Sequence, residues 1–249
     1  MLGVLISGAN GKMGKAVAGI ISERDDAAVV AGVDKYGDSE AGFPVFSAFS
    51  DVVVKCDVII DFSSPDALDD LLEFSVSGGI PVVLCTTGYN EDDMKKIETA
   101  SHSVPVFFSY NMSMGVSLLT ELAAKAAAAL GDDFDIEIVE KHHNRKVDAP
   151  SGTALKLADA INEARGDKFS YEYDRHSRRE KRPHNEIGIS SVRGGTIVGE
   201  HEIIFAGNDE VITLTHTAYS RKIFAVGALR AAKYITTMPA GLYSMKDMI

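Results

Sequence analysis

The chain is poor in cysteine, in positive charge and in long apolar runs. Cys56 and Cys85 are its only cysteines in 249 residues, and both fall in or beside apolar segments, where a reduced thiol behaves as a small hydrophobe. No disulfide framework is expected. No apolar run approaches the roughly 18 residues that a membrane helix needs, so no membrane anchor or membrane partner is expected. Residues 1–7 open directly on a strand pattern, without the basic region and cleavage site of a secretory signal, and a cytoplasmic location is inferred. Lys and Arg number 25 against 36 Asp and Glu, a net charge of −11. Nucleic-acid phosphates repel so acidic a protein, and no nucleic-acid partner is expected. Adjacent histidines occur at 142 and 143, yet no Cys, Asp or Glu stands at a ligand spacing from them. No metal is expected.

The acidity is unevenly spread. Residues 1–140 carry 8 basic and 23 acidic side chains, residues 141–185 carry 11 and 7, and residues 186–249 carry 6 and 6. One basic segment of net +4 therefore stands in an acidic protein, and a local positive island draws a small anion. Part of it, Arg175 to Arg182, reads equally as a solvated face. With 45% hydrophobic residues, the chain is long enough for one large domain or two small ones.

The amino-terminal third alternates strands and helices. Leu2 to Ser7 reads as a buried strand, Gly8-Ala9-Asn10-Gly11-Lys12-Met13-Gly14 as a glycine turn, and Val17, Ile20 and Ile21 as the apolar face of a helix. In a strand–turn–helix unit, Gly8 permits the tight turn, Gly11 lets a pyrophosphate approach the helix start, and Gly14 allows close packing. The spacing departs from the commoner Gly-x-Gly-x-x-Gly. A second strand, Val29 to Val33, ends in Asp34, where a carboxylate accepts hydrogen bonds from an adenosine ribose. Lys35 follows and suits a 2′-phosphate, so NADH, NADPH or both are the expected cofactors. Further strands at Val58 to Asp61, Pro81 to Cys85 and Val104 to Phe108 are expected, with helices starting at Ser64 and Glu91 between them. Ligands of open α/β sheets bind at the carboxyl ends of such strands. The loops Cys85-Thr86-Thr87-Gly88 and Ser109-Tyr110-Asn111-Met112 are accordingly assigned to the cofactor, together with Gly8, Ala9, Asn10, Gly11, Lys12, Met13, Asp34 and Lys35.

Residues 140–154, Glu-Lys-His-His-Asn-Arg-Lys-Val-Asp-Ala-Pro-Ser-Gly-Thr-Ala, carry the densest chemistry. Asp135 to Lys141 alternates as a strand, with Ile136 and Ile138 on one face and Glu137, Val139 and Glu140 outside it. Ser151 opens a helix whose apolar stripe is Ala154, Leu155, Leu157, Ala158 and Ile161, with Pro150 at the tolerant helix start. The amides of Ser151, Gly152 and Thr153 at the positive end of that helix make an anion seat. Imidazole titrates near neutrality, and a lysine near other cations is acidified. His142, His143 and Lys146 can therefore bind a small acid and protonate it.

After Met114 the pattern changes. A long Ala-rich helix, Val116 to Leu130, precedes the site, and residues 166–185 read as a long polar loop over it. Ile187 to Arg193 and Thr196 to Ala206 are read as a hairpin joined by Gly194-Gly195, followed by a strand from Val211 to Ala218 and a helix from Ile223 to Ile235. The expected fold is α/β: a Rossmann-type doubly wound parallel sheet with an inserted α+β domain on a mixed sheet. Residues 1–113 and 219–249 are assigned to the dinucleotide-binding domain, and residues 114–218 to substrate binding and oligomerisation. The flat sheet of the inserted domain favours self-association.

These motifs together resemble the dihydrodipicolinate reductase family over the full length, above all the His-His-x-x-Lys-Val-Asp-Ala-Pro-Ser-Gly-Thr core. The resemblance implies NAD(P)H-dependent reduction of 4-hydroxy-tetrahydrodipicolinate in lysine and diaminopimelate biosynthesis, by a homotetramer acting on a small dicarboxylate. It implies His142 as proton donor and acceptor, Lys146 as proton donor, His143 as a substrate ligand, and Gly152 and Thr153 as the carboxylate seat beside Ser151. Cys85 stands where many members have glycine and is expected to crowd the cofactor loop slightly. The rival readings are a nicotinamide sensor without catalysis and a reductase of another small acid. The former predicts a missing proton donor, the latter a missing His-His-x-x-Lys and Ser-Gly-Thr combination.

Overall fold

A computed structural model describes residues 1–37 and 42–249. They form two compact units, Met1–Met114 with Lys222–Ile249, and Gly115–Arg221. The first unit begins with β1 (Leu2–Ser7), α1 (Lys12–Ser22), β2 (Ala27–Val33), β3 (Val45–Phe46), β4 (Val58–Asp61), α2 (Leu68–Gly78), β5 (Val82–Leu84), α3 (Glu91–Ser101) and β6 (Pro105–Phe108). Then come α4 (Met114–Leu130), β7 (Asp135–His142), α5 (Gly152–Ala164), β8 (Ser170–Glu172), β9 (Glu186–Arg193), β10 (Gly199–Ala206) and β11 (Val211–Ala218). The chain closes with α6 (Lys222–Ile235) and β12 (Gly241–Tyr243), which belong to the first unit.

The first sheet is parallel throughout, in the order β12-β6-β5-β4-β1-β2-β3. Alternate residues of one strand serve opposite faces. Val4 and Ile6 pack with Val17 and Ile21 of α1 and Ala228 and Ile235 of α6, while Leu5 packs with Leu71 and Leu72 of α2 and Ile97 of α3. Cover on both faces explains why these strands carry apolar residues without a polar side. The strand order reverses at β1 and β4, so their carboxyl ends open a crevice where ligands of such sheets bind. The expected doubly wound sheet is present. Two strands of this sheet escaped the sequence reading because β3 and β12 are two and three residues long, too short to show a period.

The second unit holds a mixed five-stranded sheet, β11-β10-β7-β9-β8. Its central strand β7 runs antiparallel to β10 and parallel to β9. The expected hairpin is therefore corrected: Gly194-Gly195 connects β9 to β10, but the two strands lie on opposite sides of β7. A two-residue turn signal cannot reveal a strand supplied from fifty residues upstream. Ile136, Ile138, Ile203 and Phe205 face Leu119, Ala123 and Ala127 of α4 and Leu157 and Ile161 of α5 in one apolar core. The α4 region also corrects an expectation, since Met114–Asp133 is long and apolar enough, by length and composition, to cross a bilayer. Alanine raises its mean hydropathy, and its Leu119, Ala123 and Ala127 pack into the core.

Residues 166–185 are not a plain loop. Ser170–Glu172 forms the edge strand β8 beside β9, and the arginines beyond it lie back on their own sheet. Arg175 bonds Glu137 and pairs with Glu186, Arg178 bonds Glu172 and Glu186, and Arg182 bonds Asp135 and Glu137. These cations meet carboxylates of the unit's own strands, so the charge excess seen in sequence is largely neutralised where it stands.

Candidate active site

At the end of β1 the chain turns through Gly8 at φ 76°, a left-handed conformation that glycine adopts without strain. α1 then packs directly on the turn: a Cβ at Gly14 would lie 2.2 Å from the Gly8 carbonyl oxygen and 2.8 Å from Ala9 Cα. Gly11 caps α1 without any side-chain hydrogen bond to its amides, and no acidic residue stands in the first turn. That leaves a positive helix end ready for an anion. Asp34 Oδ2 accepts from the Asn10 amide at 3.0 Å, and Oδ1 from the Tyr36 amide at 3.2 Å. Asn10 donates its side-chain amide to the Gly37 carbonyl at 3.0 Å, while its Oδ1 is buried without a partner. Lys12 and Lys35 are exposed, Met13 and Asn10 half-buried, and Ala9 buried. A glycine cradle, uncapped helix amides and an orphaned buried oxygen fit a bound dinucleotide.

The two cofactor loops lie at the ends of β5 and β6. Thr86 is buried and donates its hydroxyl to Asp61 Oδ2 at 2.7 Å, and Ser63 donates to Oδ1 at 2.5 Å. Tyr89 reaches the same carboxylate at 3.4 Å. Asp61 is fully buried at the end of β4, so one carboxylate gathers three side chains from two connections of the crevice, β4–α2 and β5–α3. Thr87 and Tyr110 are exposed. Ser109 donates to the Asn111 carbonyl at 2.9 Å, and Asn111 Oδ1 accepts the Ser113 amide at 3.0 Å, which shapes that turn. Met112 and Cys85 are buried in the core that α1 and α6 cover, so the Cys85 side chain packs inward. Burial pushes its thiol well above the usual range.

In the second unit, β7 delivers His142 to the edge of the core. Alternation along β7 puts Ile136, Ile138, Glu140 and His142 on one buried face, which corrects the placement of Glu140 outside it. His142 Nδ1 lies 2.6 Å from Glu140 Oε2. Arg193 of β9 grips both oxygens of Glu140, at 2.8 and 2.7 Å, and donates to the Asp148 carbonyl at 2.6 Å. The Ser151 amide donates to Glu140 Oε1 at 3.1 Å. Ser151 caps α5 by accepting the Ala154 amide, and its hydroxyl meets His201 Nε2 of β10 at 3.1 Å. Pro150 lies one residue before the cap rather than inside the helix, after a cis Ala149–Pro150 bond. Because Ser151 is engaged within the protein, the helix start that can meet an anion is shifted to Gly152 and Thr153. Gly152 is exposed, with open space where a Cβ would stand.

Lys146 sits in the intervening loop, half-buried, and pairs with Asp148 at 2.9 Å. His143 is half-buried, with Nδ1 buried and unpaired. Burial pushes the His142 imidazole below its ordinary value, with Lys146 and Arg193 adding to the effect and Glu140 opposing it. Burial alone would raise the Glu140 carboxyl, yet the hydrogen bonds from Arg193 and His142 hold it at about 2. His201 is held at about 4, chiefly by burial and then by neighbouring His142. A carboxylate that stays ionised thus faces an imidazole that is neutral at pH 7.

His142, Lys146 and the start of α5 are brought together in the second unit, and the glycine turn, Asp34 and both strand-end loops in the first. Sequence reasoning missed Glu140, Arg193, His201 and Asp61. Glu140 was legible, since two-residue spacing in a strand puts it on the same face as His142. Arg193 and His201 depend on the order of strands around β7, which no local pattern encodes.

A doubly wound sheet with a dinucleotide cradle, joined in one chain to a unit carrying paired acid–base groups, defines an NAD(P)H-dependent oxidoreductase. Family models described as dihydrodipicolinate reductase, N-terminus and C-terminus, match residues 2–112 and 115–249. The chain belongs to the dihydrodipicolinate reductase family. It is 51% identical to the 4-hydroxy-tetrahydrodipicolinate reductase of Caldanaerobacter subterraneus subsp. tengcongensis, covering 100% of this chain and 98% of that protein. The enzyme of the same name from Clostridium novyi is 47% identical over the same shares. Among solved structures, dipicolinate-bound dihydrodipicolinate reductase from Paenisporosarcina sp. TG-14 superposes with a TM-score of 0.81 at 25% identity, covering all of both chains.

Proposed function

We propose that this chain reduces 4-hydroxy-tetrahydrodipicolinate to tetrahydrodipicolinate with NADH or NADPH, in the biosynthesis of diaminopimelate and lysine. The observation that carries this reading is the convergence of His142, Lys146 and the Gly152–Thr153 helix start in one unit. The glycine turn from Gly8 to Gly11 and the start of α1 would hold the pyrophosphate, Asp34 the adenosine ribose, and the loops at Thr86-Thr87 and Ser109–Met112 the nicotinamide ribose. Lys35 would meet a 2′-phosphate when NADPH is used. The nicotinamide, when bound there, would supply the hydride for C4 of the substrate ring.

The protein's own groups bind, orient and move protons. The amides of Gly152 and Thr153, at the positive end of α5, seat one substrate carboxylate, and His143 holds the ring beside it. His142 is the group that takes up and returns a proton. Lys146 supplies the proton that quenches the enamine left after hydride addition. Dipicolinate, bound by the Paenisporosarcina reductase, is a dicarboxylate and offers such a seat a carboxylate.

The same reading places the protein in the cytoplasm as a homotetramer. Support comes from the second sheet, whose face away from α4 and α5 carries Val139, Val192, Ile204 and the threonines of β11, with Val192 44% exposed. Light scattering on the purified protein tests the tetramer. The activity itself is tested by nicotinamide oxidation with substrate generated in place from pyruvate and aspartate semialdehyde by the preceding synthase. Turnover dependent on both precursors is expected. A folded, dinucleotide-binding protein without turnover would point to another acid or to a sensor.

A further inference from the structure

Glu140 touches three functional parts of the second unit at once, although none of the roles above belongs to it. Its side chain is inaccessible to solvent. Oε2 takes His142 Nδ1 at 2.6 Å and Arg193 at 2.8 Å, while Oε1 takes Arg193 at 2.7 Å and the Ser151 amide at 3.1 Å. We propose that Glu140 is a positioning residue for proton transfer: it fixes His142 as the Nδ1–H tautomer with Nε2 open, and through its second oxygen ties that ring to the helix start that seats the substrate carboxylate. The proposal rests on the reading of His142 as the proton-transfer group.

An ionised carboxylate can only accept hydrogen bonds. The His142 nitrogen that faces it must therefore carry the hydrogen, and in the neutral ring the lone pair falls on Nε2. That nitrogen faces β10 at Gly199, where a Cβ would stand 3.1 Å away, so glycine keeps the reactive side of the ring uncrowded. The bidentate Arg193 sets the plane of the carboxylate as well as its charge. Its further bond to the Asp148 carbonyl links the pair to the loop bearing Lys146. A buried ion pair is weak evidence for a stabilising role by itself, and stability alone would not require one carboxylate to face both an imidazole and the amide of a helix cap. The groups facing His142 are Glu140 on its own strand, Arg193 on β9, His201 on β10 and Lys146 in the loop.

The test combines nitrogen-15 spectra of histidine-labelled protein with kinetics of E140Q, H142Q and the double variant. The wild-type protein should show His142 as the Nδ1–H tautomer, and E140Q should show mixed tautomers with a lower titration midpoint. E140Q should lose about tenfold to a hundredfold in kcat while keeping its NADH dissociation constant. In the H142Q background the same change should cost less than about twofold, because the two residues act as a unit. An Nε2–H tautomer in the wild type, an unchanged tautomer in E140Q, or losses that multiply in the double variant would each overturn the proposal. H142Q with wild-type kcat would sink the acid–base reading instead, and with it the catalytic half of the proposal, while the spectra still decide whether Glu140 orients the ring. Should E140Q fail to fold, E140Q/R193Q removes both charges together, and the wild-type spectrum needs no variant.

Discussion

Ser151 and His201 stand fifty residues apart in the chain and meet through a 3.1 Å contact between the hydroxyl and Nε2. The serine that caps α5 is thereby joined to the middle of a strand on the far side of β7. His201 is buried, and its register partner on β11 is His216, whose ionisation burial also disfavours.

Stability should fall on acidification because of this histidine. Unfolded, its imidazole titrates near 6.5; folded, at about 4. Between those values the unfolded chain takes up a proton that the folded chain refuses, so the contribution is whole above pH 6.5 and gone by about pH 4. A shift of that size corresponds to an upper bound on the order of 3 kcal/mol. Glu140 acts lower, its contribution being present above 4.5 and lost toward pH 2. Urea unfolding at pH 7 and pH 4.5 should show a smaller difference for His201→Gln than for the wild type. His142 and His216, also depressed by burial, keep some of the slope. An undiminished slope in the variant would remove His201 as its source.

Lys146→Ala should lower kcat by about a hundredfold or more, within the range that positioned proton donors contribute, with little change in NADH affinity. Lys146 belongs to the second unit and the glycine turn to the first. Steady-state kinetics beside a direct dinucleotide titration separates the two effects. An unchanged kcat would take Lys146 out of the chemical step.

Asp34→Ala should weaken NADH by about tenfold and NADPH less, since the ribose hydroxyls that Asp34 would accept from are absent as a pair in the phosphorylated cofactor. The loss of its bond to the Asn10 amide lowers affinity for both by a common factor, so the ratio is the informative quantity. Equal losses would contradict the ribose contact.

Gly14→Ala should destabilise the first unit by about 1–3 kcal/mol and raise the dissociation constant for dinucleotide. The added methyl would collide with backbone at Gly8 and Ala9, which cannot rotate away as a side chain would. Denaturant unfolding and cofactor titration of the same variant check both. A fully stable variant with native affinity would show that α1 can move off the turn.

Much of the first unit was legible because its signals are local. Apolar runs, the Gly8–Gly14 turn and the acidic end of β2 each occupy consecutive residues. The Ser151 cap and the stripe of α5 were readable for the same reason. What failed was long-range. The glycines at 194 and 195 describe a turn correctly as chemistry, but pairing is decided by Ile136 and Ile138, which need apolar neighbours on both sides of β7. Arg175 and Arg182 look free in sequence because carboxylates that they meet, Glu137 and Asp135, lie some forty residues earlier. The placement of Glu140 failed for a smaller reason: it was set apart from Ile136 and Ile138 although the strand's period of two puts it on their face.

The central position of β7 has a consequence for the order in which the protein is made. His142 is synthesised before both of the strands that flank it, and Arg193 follows Glu140 by 53 residues. α6 and β12, which complete the first unit, come later still. On the ribosome, neither unit can close when its own first half emerges, and a nascent chain that has not reached Arg193 carries a Glu140 carboxylate without its arginine and exposed strand edges. Such a chain depends on its last quarter for both of its cores.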